Sequence, residues 1–192
     1  MKIEVLNHAS VKLVDTKTIY FDPYDIEKDY HDADYIFITH DHYDHYDKES
    51  ILKIQKEDTK IIVPKCLEKE NHTLVVEPNK EYKIDDISFQ TIPSYNTEAS
   101  FHLKEKDYVG YNILLNGLYY YVMGDTNRTP EAEQVKTDIC FVPIGGTYTM
   151  DVTEAVQYIN ELKPKKAIPI HYGKIVGSKD LGENSQRKYQ RI

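Results

Sequence analysis

A cluster of metal-binding residue types follows a short apolar run in the first quarter of the chain. Residues 35–39 form a run of strand length, and His40, His42, Asp44 and His45 come directly after it. Alternate residues of an extended segment share a side, and a turn brings the next pair round, so these side chains can converge on one point. Imidazole and carboxylate are ligands of zinc, iron and manganese, and a set without thiolate usually leaves a position for water. The pattern indicates a metal site, the alternative being a polar surface turn.

The size and charge of the chain limit what such a site can serve. The 192 residues match one globular domain, predicted to span residues 1–192. A chain of this length buries enough surface to fold without cross-links, so a metal would serve chemistry rather than stability. The formal net charge of −8, from 24 Lys and Arg against 32 Asp and Glu, disfavours long nucleic acids as partners.

Cysteine use and hydropathy bear on the cellular compartment. Cys66 and Cys140 lie far apart in the sequence and match neither a disulfide framework nor a zinc-ribbon pair. No apolar run approaches the roughly 20 residues of a membrane helix, and residues 1–10 lack the features of a targeting segment. We therefore expect a cytoplasmic protein with no membrane partner.

Short apolar runs predict a β-rich α/β domain. Strands are expected at residues 3–6, 11–14, 18–21, 35–39 and 60–63, and again at 87–92, 109–115, 118–123, 139–143 and 167–170. Asn116 and Gly117 separate two of these runs and predict a type I′ hairpin, because both turn positions need positive φ. Two strand-rich halves, each with a helix packed on the outside, indicate a layered fold.

Both helices are predicted from their apolar spacing. Residues 151–162 carry an apolar face, and Asp151 with Glu154 matches a capping box at the start. Residues 47–55 predict a shorter helix whose apolar side is formed by Ile51, Leu52 and Ile54.

Six other motifs accompany the histidine cluster. In chain order the set is HAS at residues 8–10, FDP at 21–23, THDHYDH at 39–45, IPSYN at 92–96, GDT at 124–126, PIGGTYTM at 143–150 and PIHYG at 169–173. With these motifs nearly the whole chain resembles the metallo-β-lactamase-fold superfamily, in particular the small metal-dependent hydrolases related to ascorbate-6-phosphate lactonase. The resemblance implies an α/β fold, a four-layer αββα sandwich in a single domain, with metals at the edge of two sheets.

The same resemblance implies a set of metal ligands. His40 and His42 would hold a first ion, Asp44 and His45 a second, Asp125 would bridge the two, and His171 would complete the second. Asp125 and His171 each follow a predicted strand, where a rigid sheet can aim a ligand into a cleft. The alternatives are a turn residue beside Gly124 and a buried structural histidine.

The sequence departs from the usual family pattern at Asn96. A histidine usually supplies the third ligand of the first metal there, whereas a neutral amide oxygen is a poor zinc ligand. His102 lies six residues further on and is the expected substitute ligand, the alternative being an exposed loop histidine. The Asn96 amide would then suit hydrogen bonding to a substrate oxygen. If His102 does not coordinate, a single ion in the second site is expected.

The resulting functional hypothesis is a metal-dependent hydrolase that uses a metal-activated water. Zinc is expected, as one or two ions, with manganese or iron as alternatives, and Asp44 would orient the nucleophile or accept its proton. The substrate is expected to be a small lactone, ester or phosphodiester. The alternatives are a small phosphodiesterase or nuclease on the same fold, an iron-bearing redox protein, and a metal-binding module with little turnover.

Several further residues are candidates for supporting roles. His8 would line the cleft, and Asp22 would accept a hydrogen bond from a ligand imidazole and fix its tautomer. Tyr148 would face the substrate, and Gly145 with Gly146 would allow a close backbone approach to the metals or the substrate. The segment 184–192 is locally basic and has no predicted role.

Overall fold

The computed structural model describes residues 1–69 and 73–182. It consists of two compact units, Met1–Val76 and Glu77–Ile192, and each is described by itself. The basic segment 184–192 lies outside the described residues. The prediction that residues 1–192 form one domain stays a prediction.

A six-stranded mixed sheet forms the first unit. Its strands are β1 (Lys2–Val5), β2 (Val11–Val14), β3 (Thr18–Phe21), β4 (Ala33–Phe37), β5 (Gln55–Pro64) and β6 (Leu74–Val76), in that spatial order. The first three strands are antiparallel, and β3 to β6 run parallel. Because β3 and β4 are parallel and pair Phe21 with Phe37, the residues after both strands emerge at the same sheet edge.

Helix α1 (Lys48–Ile54) connects β4 to β5 and packs on the first sheet. It begins at Asp47, whose carboxylate accepts a hydrogen bond from the backbone N–H of Glu49. Ile51 and Ile54 are buried in a core with the strand residues, whereas Leu52 is 60% exposed. The predicted helix is confirmed, but the prediction that Leu52 belongs to its apolar side is wrong, because the buried side of this seven-residue helix is formed by Ser50, Ile51 and Ile54.

The second unit holds another six-stranded mixed sheet. Its strands are β7 (Glu81–Ile84), β8 (Ile87–Pro93), β9 (Val109–Leu115), β10 (Leu118–Val122), β11 (Ile139–Pro143) and β12 (Lys166–Ile170). Their spatial order runs from β12 to β7, with β10 to β12 parallel and β7 to β10 antiparallel. Asn116 and Gly117 have φ of 51° and 77°, which confirms the predicted hairpin turn. The ends of β8, β10, β11 and β12 emerge at one edge of this sheet.

Helix α2 (Val152–Leu162) packs on strands β10, β11 and β12 of the second sheet. Ala155, Tyr158 and Ile159 are buried against strand residues, as the apolar spacing predicts for this helix. Asp151 caps the helix by accepting from the backbone N–H of Glu154 at 2.8 Å, a contact worth about 0.5–2 kcal/mol. The Glu154 carboxylate does not close a capping box, because it accepts from the Asn127 side chain and the Arg128 backbone instead.

The structure adds two strands that the sequence analysis missed, β6 and β7, and extends β5 back to Gln55. Both missed strands lie at sheet edges and are only three or four residues long, so little apolar alternation marks them. Within residues 1–69 and 73–182, no helix is long and apolar enough to cross a membrane.

Candidate metal-binding residues

The predicted ligands of the first unit lie in loops that leave the ends of its strands. The four motif residues follow β4, Asp22 follows β3, and His8 follows β1. His8 and Asp22 have left-handed φ of 50° and 44°, although neither is glycine. Non-glycine residues seldom adopt this conformation, and where they do the surrounding structure holds them there, often at a functional site.

The structure brings the four predicted ligands of the first unit together with His8, which was predicted to line the cleft. We call His8, His40, His42, Asp44 and His45 the first cluster. The rings of His40 and His45 have centroids 4.0 Å apart, and those of His40 and His42 are 4.6 Å apart. Ligand atoms of His8, Asp44 and His45 all lie within 4.8 Å of one another. His40, Asp44 and His45 are buried, so the polar atoms of the cluster are gathered away from bulk water.

Hydrogen bonds define the tautomers of two of these histidines. Nδ1 of His45 donates to the carboxylate of Asp22 at 2.8 Å. The Thr39 hydroxyl donates its only hydrogen to the same carboxylate at 2.7 Å, so it accepts from Nδ1 of His40 at 2.9 Å. Both rings therefore carry the hydrogen on Nδ1 and the lone pair on Nε2, the arrangement that a metal ligand requires.

His8 joins the cluster through Asp44. Its Nε2 lies 3.1 Å from Oδ2 of Asp44, and its ring meets Tyr24 edge to face with centroids 6.3 Å apart. Tyr24 in turn packs against Tyr43, which is 66% exposed. Burial, the Tyr43 hydroxyl and two nearby carboxylates raise the pKa of Tyr24. These contacts place His8 against the histidine motif, whereas its expected role in lining a cleft stays a prediction.

The predicted ligands of the second unit also lie together. We call His102, Asp125 and His171 the second cluster, and all three side chains are buried. Oδ2 of Asp125 is 2.9 Å from Nε2 of His171 and 3.4 Å from Nε2 of His102. Asp125 follows β10 and His171 follows β12, so the parallel strands deliver both to one sheet edge. His171 also has a left-handed φ, of 60°.

Asn96 contacts His102 directly. Nδ1 of His102 donates to Oδ1 of Asn96 at 2.8 Å. The Asn96 amide nitrogen donates to Oδ1 of Asn127 at 2.9 Å and to the backbone carbonyl of Tyr148 at 2.8 Å. The expectation was that this amide binds substrate, yet both of its hydrogens are committed within the protein. Asn96 thus connects the side chain of His102 to Asn127 and to the backbone of Tyr148.

Gly145 packs against His171. A Cβ added at Gly145 would lie 2.6 Å from the backbone oxygen of His171 and 3.0 Å from its Nδ1. Any larger residue would displace the histidine, so glycine is required by this close approach. Gly145 thus approaches a candidate ligand of its own unit. The predicted approach of Gly145 and Gly146 to the metals or the substrate stays a prediction.

An aromatic pair, in which Phe101 is exposed and Tyr148 is half-buried, lies beside the second cluster. Phe101 precedes His102 in the chain, is 51% exposed, and meets Tyr148 edge to face with centroids 4.8 Å apart.

Lys104 and Arg128 are the basic residues that follow His102 and Asp125 most closely in sequence, and both form ion pairs with carboxylates. Lys104 binds Glu131 at 2.6 Å, and Arg128 binds Glu133 and Glu161.

Hydrogen bonds clamp the segment that carries Asn96 and His102. Glu131 accepts from the Lys104 ammonium at one oxygen and from the Tyr95 hydroxyl, at 2.9 Å, at the other. Burial raises the pKa of Glu131, but these hydrogen bonds outweigh it and hold the pKa below its ordinary value of 4.5. Sequence reasoning missed this clamp, because Glu131 lies 27 or more residues from its two partners and belongs to no motif.

The donor sets of both clusters fit a divalent metal. They consist of imidazole nitrogens and carboxylate oxygens, all on buried side chains except that of half-buried His42, and they include no thiolate. This is the donor chemistry of zinc, manganese and iron centres that act on water. His40 and His45 also have partners on their other ring nitrogen, as metal-bound histidines usually have.

Comparisons with known proteins agree with the fold and with a metal-dependent chemistry. Residues 2–171 match the family described as the beta-lactamase superfamily domain. A UPF0173 protein of Pyrococcus abyssi is 33% identical, over 100% of this chain and 93% of its own length. A UPF0173 metal-dependent hydrolase of Thermococcus onnurineus is 27% identical, over 90% of this chain and 84% of the relative.

Solved structures show the same fold. A candidate metal-dependent hydrolase from Parabacteroides distasonis has a TM-score of 0.82 and 30% identity, over 96% of this chain and 87% of that one. A metallo hydrolase from Ignicoccus hospitalis has a TM-score of 0.77 and 20% identity, over 96% and 90% of the two chains. The predicted metallo-β-lactamase fold is confirmed.

Proposed function

We propose, from the premise that this chain belongs to the beta-lactamase superfamily and to the UPF0173 metal-dependent hydrolases, that it hydrolyses a small lactone or ester. The observation that carries the proposal is the buried Asp125 carboxylate, which lies within 3.4 Å of two imidazole nitrogens at a sheet edge. A carboxylate between imidazoles, buried away from water, is costly to retain unless it serves a cation.

The proposed ligand assignment is the one that the family resemblance implies. It gives His40, His42 and His102 to one ion, and Asp44, His45 and His171 to another, with Asp125 shared. Hydrogen bonds that place the lone pair on Nε2 of His40, His45 and His102 support it. We propose zinc as the metal, as one or two ions, with manganese and iron as alternatives to be tested.

The chemistry that a bound divalent cation supplies is a coordinated water with a pKa lowered toward about 7 and polarisation of the substrate oxygen. The protein's own part falls to Asp44, which we propose as the catalytic residue that orients the nucleophile and accepts its proton. Asp44 is held for this role by Nε2 of His8 at 3.1 Å. His8 therefore acts as a positioning residue for Asp44.

The surroundings of the two clusters support a substrate with an apolar group. Tyr43 and Phe101 are exposed, and each lies beside a candidate ligand of its own unit. Tyr43 packs edge to face on Tyr24, and Phe101 packs in the same way on Tyr148. Lys104 and Arg128 are already held by carboxylates, which disfavours their use for a phosphate. We therefore place a phosphodiester below lactones and esters as the substrate class.

Two further properties belong to the same proposal. Neither Cys66 nor Cys140 forms a disulfide in the described part of the chain, which supports a reducing compartment such as the cytoplasm. The net charge of −8 supports a small molecule rather than a long nucleic acid as the partner.

A substrate screen tests the proposed function. Protein loaded with zinc, manganese or iron is assayed on a γ-lactone, an aryl ester, a thioester and a phosphodiester, beside the Asp125→Ala and Tyr119→Ala variants. We expect turnover of the lactone or the ester that Asp125→Ala loses and Tyr119→Ala retains, since Tyr119 lies at the start of β10 and Asp125 follows the other end of this strand. Absence of turnover on all four substrates would favour the alternative of a metal-binding module with little turnover. Elemental analysis of protein purified without added metal identifies the native ion.

A further inference from the structure

A chain of side-chain hydrogen bonds connects the first turn of α2 with His102. Oε2 of Glu154 accepts from Nδ2 of Asn127 at 3.0 Å, and Oδ1 of Asn127 accepts from Nδ2 of Asn96 at 2.9 Å. Oδ1 of Asn96 then accepts from Nδ1 of His102 at 2.8 Å. Every member belongs to the second unit, and Asn96 and His102 are buried.

The chemistry of its first member determines the direction of every bond in this chain. An ionised carboxylate only accepts, so Glu154 requires the nitrogen of the Asn127 amide to face it. The oxygen of Asn127 then faces Asn96, which must present its own nitrogen there and its oxygen to His102. His102 is left to donate from Nδ1, and its lone pair is placed on Nε2, the atom 3.4 Å from Oδ2 of Asp125.

Two backbone groups support the same orientation. The carbonyl of Tyr148 accepts the second hydrogen of the Asn96 amide at 2.8 Å, and a carbonyl, like a carboxylate, cannot donate. The backbone N–H of Thr97 points to Oδ1 of Asn127 at 3.4 Å. Rotating either amide by 180° would bring two donors or two acceptors face to face, which costs hydrogen bonds in a buried region.

We propose that Glu154, Asn127 and Asn96 are positioning residues that hold His102 in its Nδ1–H tautomer and so present Nε2 to a metal. The proposal rests on the proposed function only in taking His102 as a ligand. The proposal accounts for the presence of Asn96 where the family usually has a ligand histidine. An amide binds metal poorly, but it can orient His102, the expected substitute ligand. Glu154 thereby has a role beyond the first turn of α2, to which it belongs.

Nitrogen NMR of histidine-labelled protein tests the tautomer directly. Spectra are recorded on zinc-free protein at pH about 9, well above the ordinary imidazole pKa of about 6.5, and on zinc-loaded protein. We expect His102 to carry its hydrogen on Nδ1 in both samples and to show the zinc-induced shift at Nε2. A hydrogen on Nε2 in the zinc-free protein, or zinc on Nδ1, would overturn the proposal.

A matched pair of variants in α2 tests Glu154, the member of the hydrogen-bonded series that lies furthest from His102. In Glu154→Gln the new amide can face Asn127 with a donor, so the direction of the bonds is no longer enforced. We expect a mixture of His102 tautomers and a loss of zinc affinity of about tenfold, the low end for groups that support ligands, because the Tyr148 carbonyl still holds Asn96. Glu161→Gln is the control, since Glu161 lies on the same helix and binds Arg128 at the surface.

Two further variants distinguish a positioning role of Glu154 from a loss of protein stability. Glu154→Asp keeps an acceptor-only group and should restore the single tautomer, whereas Asn96→Leu removes the acceptor of His102 and should weaken zinc more than Glu154→Gln does. If Glu154→Gln matches Glu161→Gln in both tautomer and zinc affinity, Glu154 has no positioning role. Neither measurement uses turnover, so failure of the proposed hydrolase activity would leave the result unaffected.

Discussion

Oδ2 of Asp22 lies 2.8 Å from Nδ1 of His45, and both side chains are completely buried. The other oxygen of Asp22 accepts from the backbone N–H of Thr39 at 2.8 Å, and Oδ2 also accepts from the Thr39 hydroxyl. One carboxylate thus joins the end of β3 to the loop after β4 and orients two histidines, His45 directly and His40 through Thr39. A left-handed φ at Asp22 places the carboxylate in this position.

Replacing Asp22 by Asn should weaken metal binding. An amide offers one acceptor and one donor, so either Thr39 or His45 would face a nitrogen where it now faces an oxygen. We expect metal affinity to fall by about 10–100-fold, as is usual for groups that orient ligands. Competition with a chelator of known affinity measures the change.

The control for this variant is Asp34→Asn. Asp34 belongs to the same sheet and accepts from the Thr18 backbone and from Lys56, without contact to the cluster. Its replacement should lower stability but leave metal affinity unchanged. Equal losses of affinity in the two variants would show that Asp22 acts through general stability alone.

Replacing Asp125 by Ala should remove metal and activity together. The carboxylate lies within 3.4 Å of two histidine nitrogens, and its negative charge offsets that of a cation held there. We expect the metal content per chain to fall, with loss of most of the turnover of any substrate that the wild type accepts. Elemental analysis of dialysed protein measures the metal content. If the Asp125→Ala variant keeps the metal content and the turnover rate of the wild type, Asp125 is a turn residue and not a metal ligand.

The fold was predictable where apolar periodicity and turn chemistry are local. The runs before the histidine motif and around Asn116 and Gly117 mark their strands and hairpin, because each signal involves neighbours in the chain. The edge strands β6 and β7 were missed, since a strand paired on one side needs few apolar residues. The exposure of Leu52 was also not predictable from local sequence, because it depends on how α1 packs against the sheet.

The candidate site was predictable to the level of ligands but not of their partners. His102 was found because its residue type and closeness to Asn96 suggested a substitute ligand, and the structure places it beside Asp125. The contact between Glu154 and Asn127 was hidden, because the sequence offered a local partner for Glu154 in the capping box. Side-chain partners separated by 27 or more residues leave no periodic signal.

Acid should weaken the clamp formed by Glu131, Lys104 and Tyr95. The pKa of Glu131 is lower in the folded protein than its ordinary value of 4.5, so its stabilisation is complete above that value. As pH falls through the lowered pKa, Glu131 becomes protonated and this contribution is lost. We expect the free energy of unfolding to fall more steeply below pH 4.5 in the wild type than in Glu131→Gln, by no more than about 1 kcal/mol because Lys104 is exposed.

Urea unfolding at a series of pH values measures this difference. Tyr95→Phe should retain most of the pH dependence, since the Lys104 ammonium remains beside the carboxylate. Parallel pH profiles for the wild type and Glu131→Gln would mean that the ion pair forms in the structure without contributing to stability.

The aromatic pair beside His102 should set a preference for substrates with an aromatic group. Phe101 is half exposed and stacks edge to face on Tyr148, so its ring can contact a substrate without unfolding the loop. Removing it in Phe101→Ala should lower kcat/KM for a phenylacetyl ester by about two- to tenfold, the range for one aromatic contact, and leave an acetyl ester with the same leaving group nearly unchanged. Tyr119→Ala, which removes another exposed ring of the second unit, is the matched control. If Phe101→Ala lowers the rates on both esters equally, the ring supports the loop that carries His102 and makes no contact with the substrate.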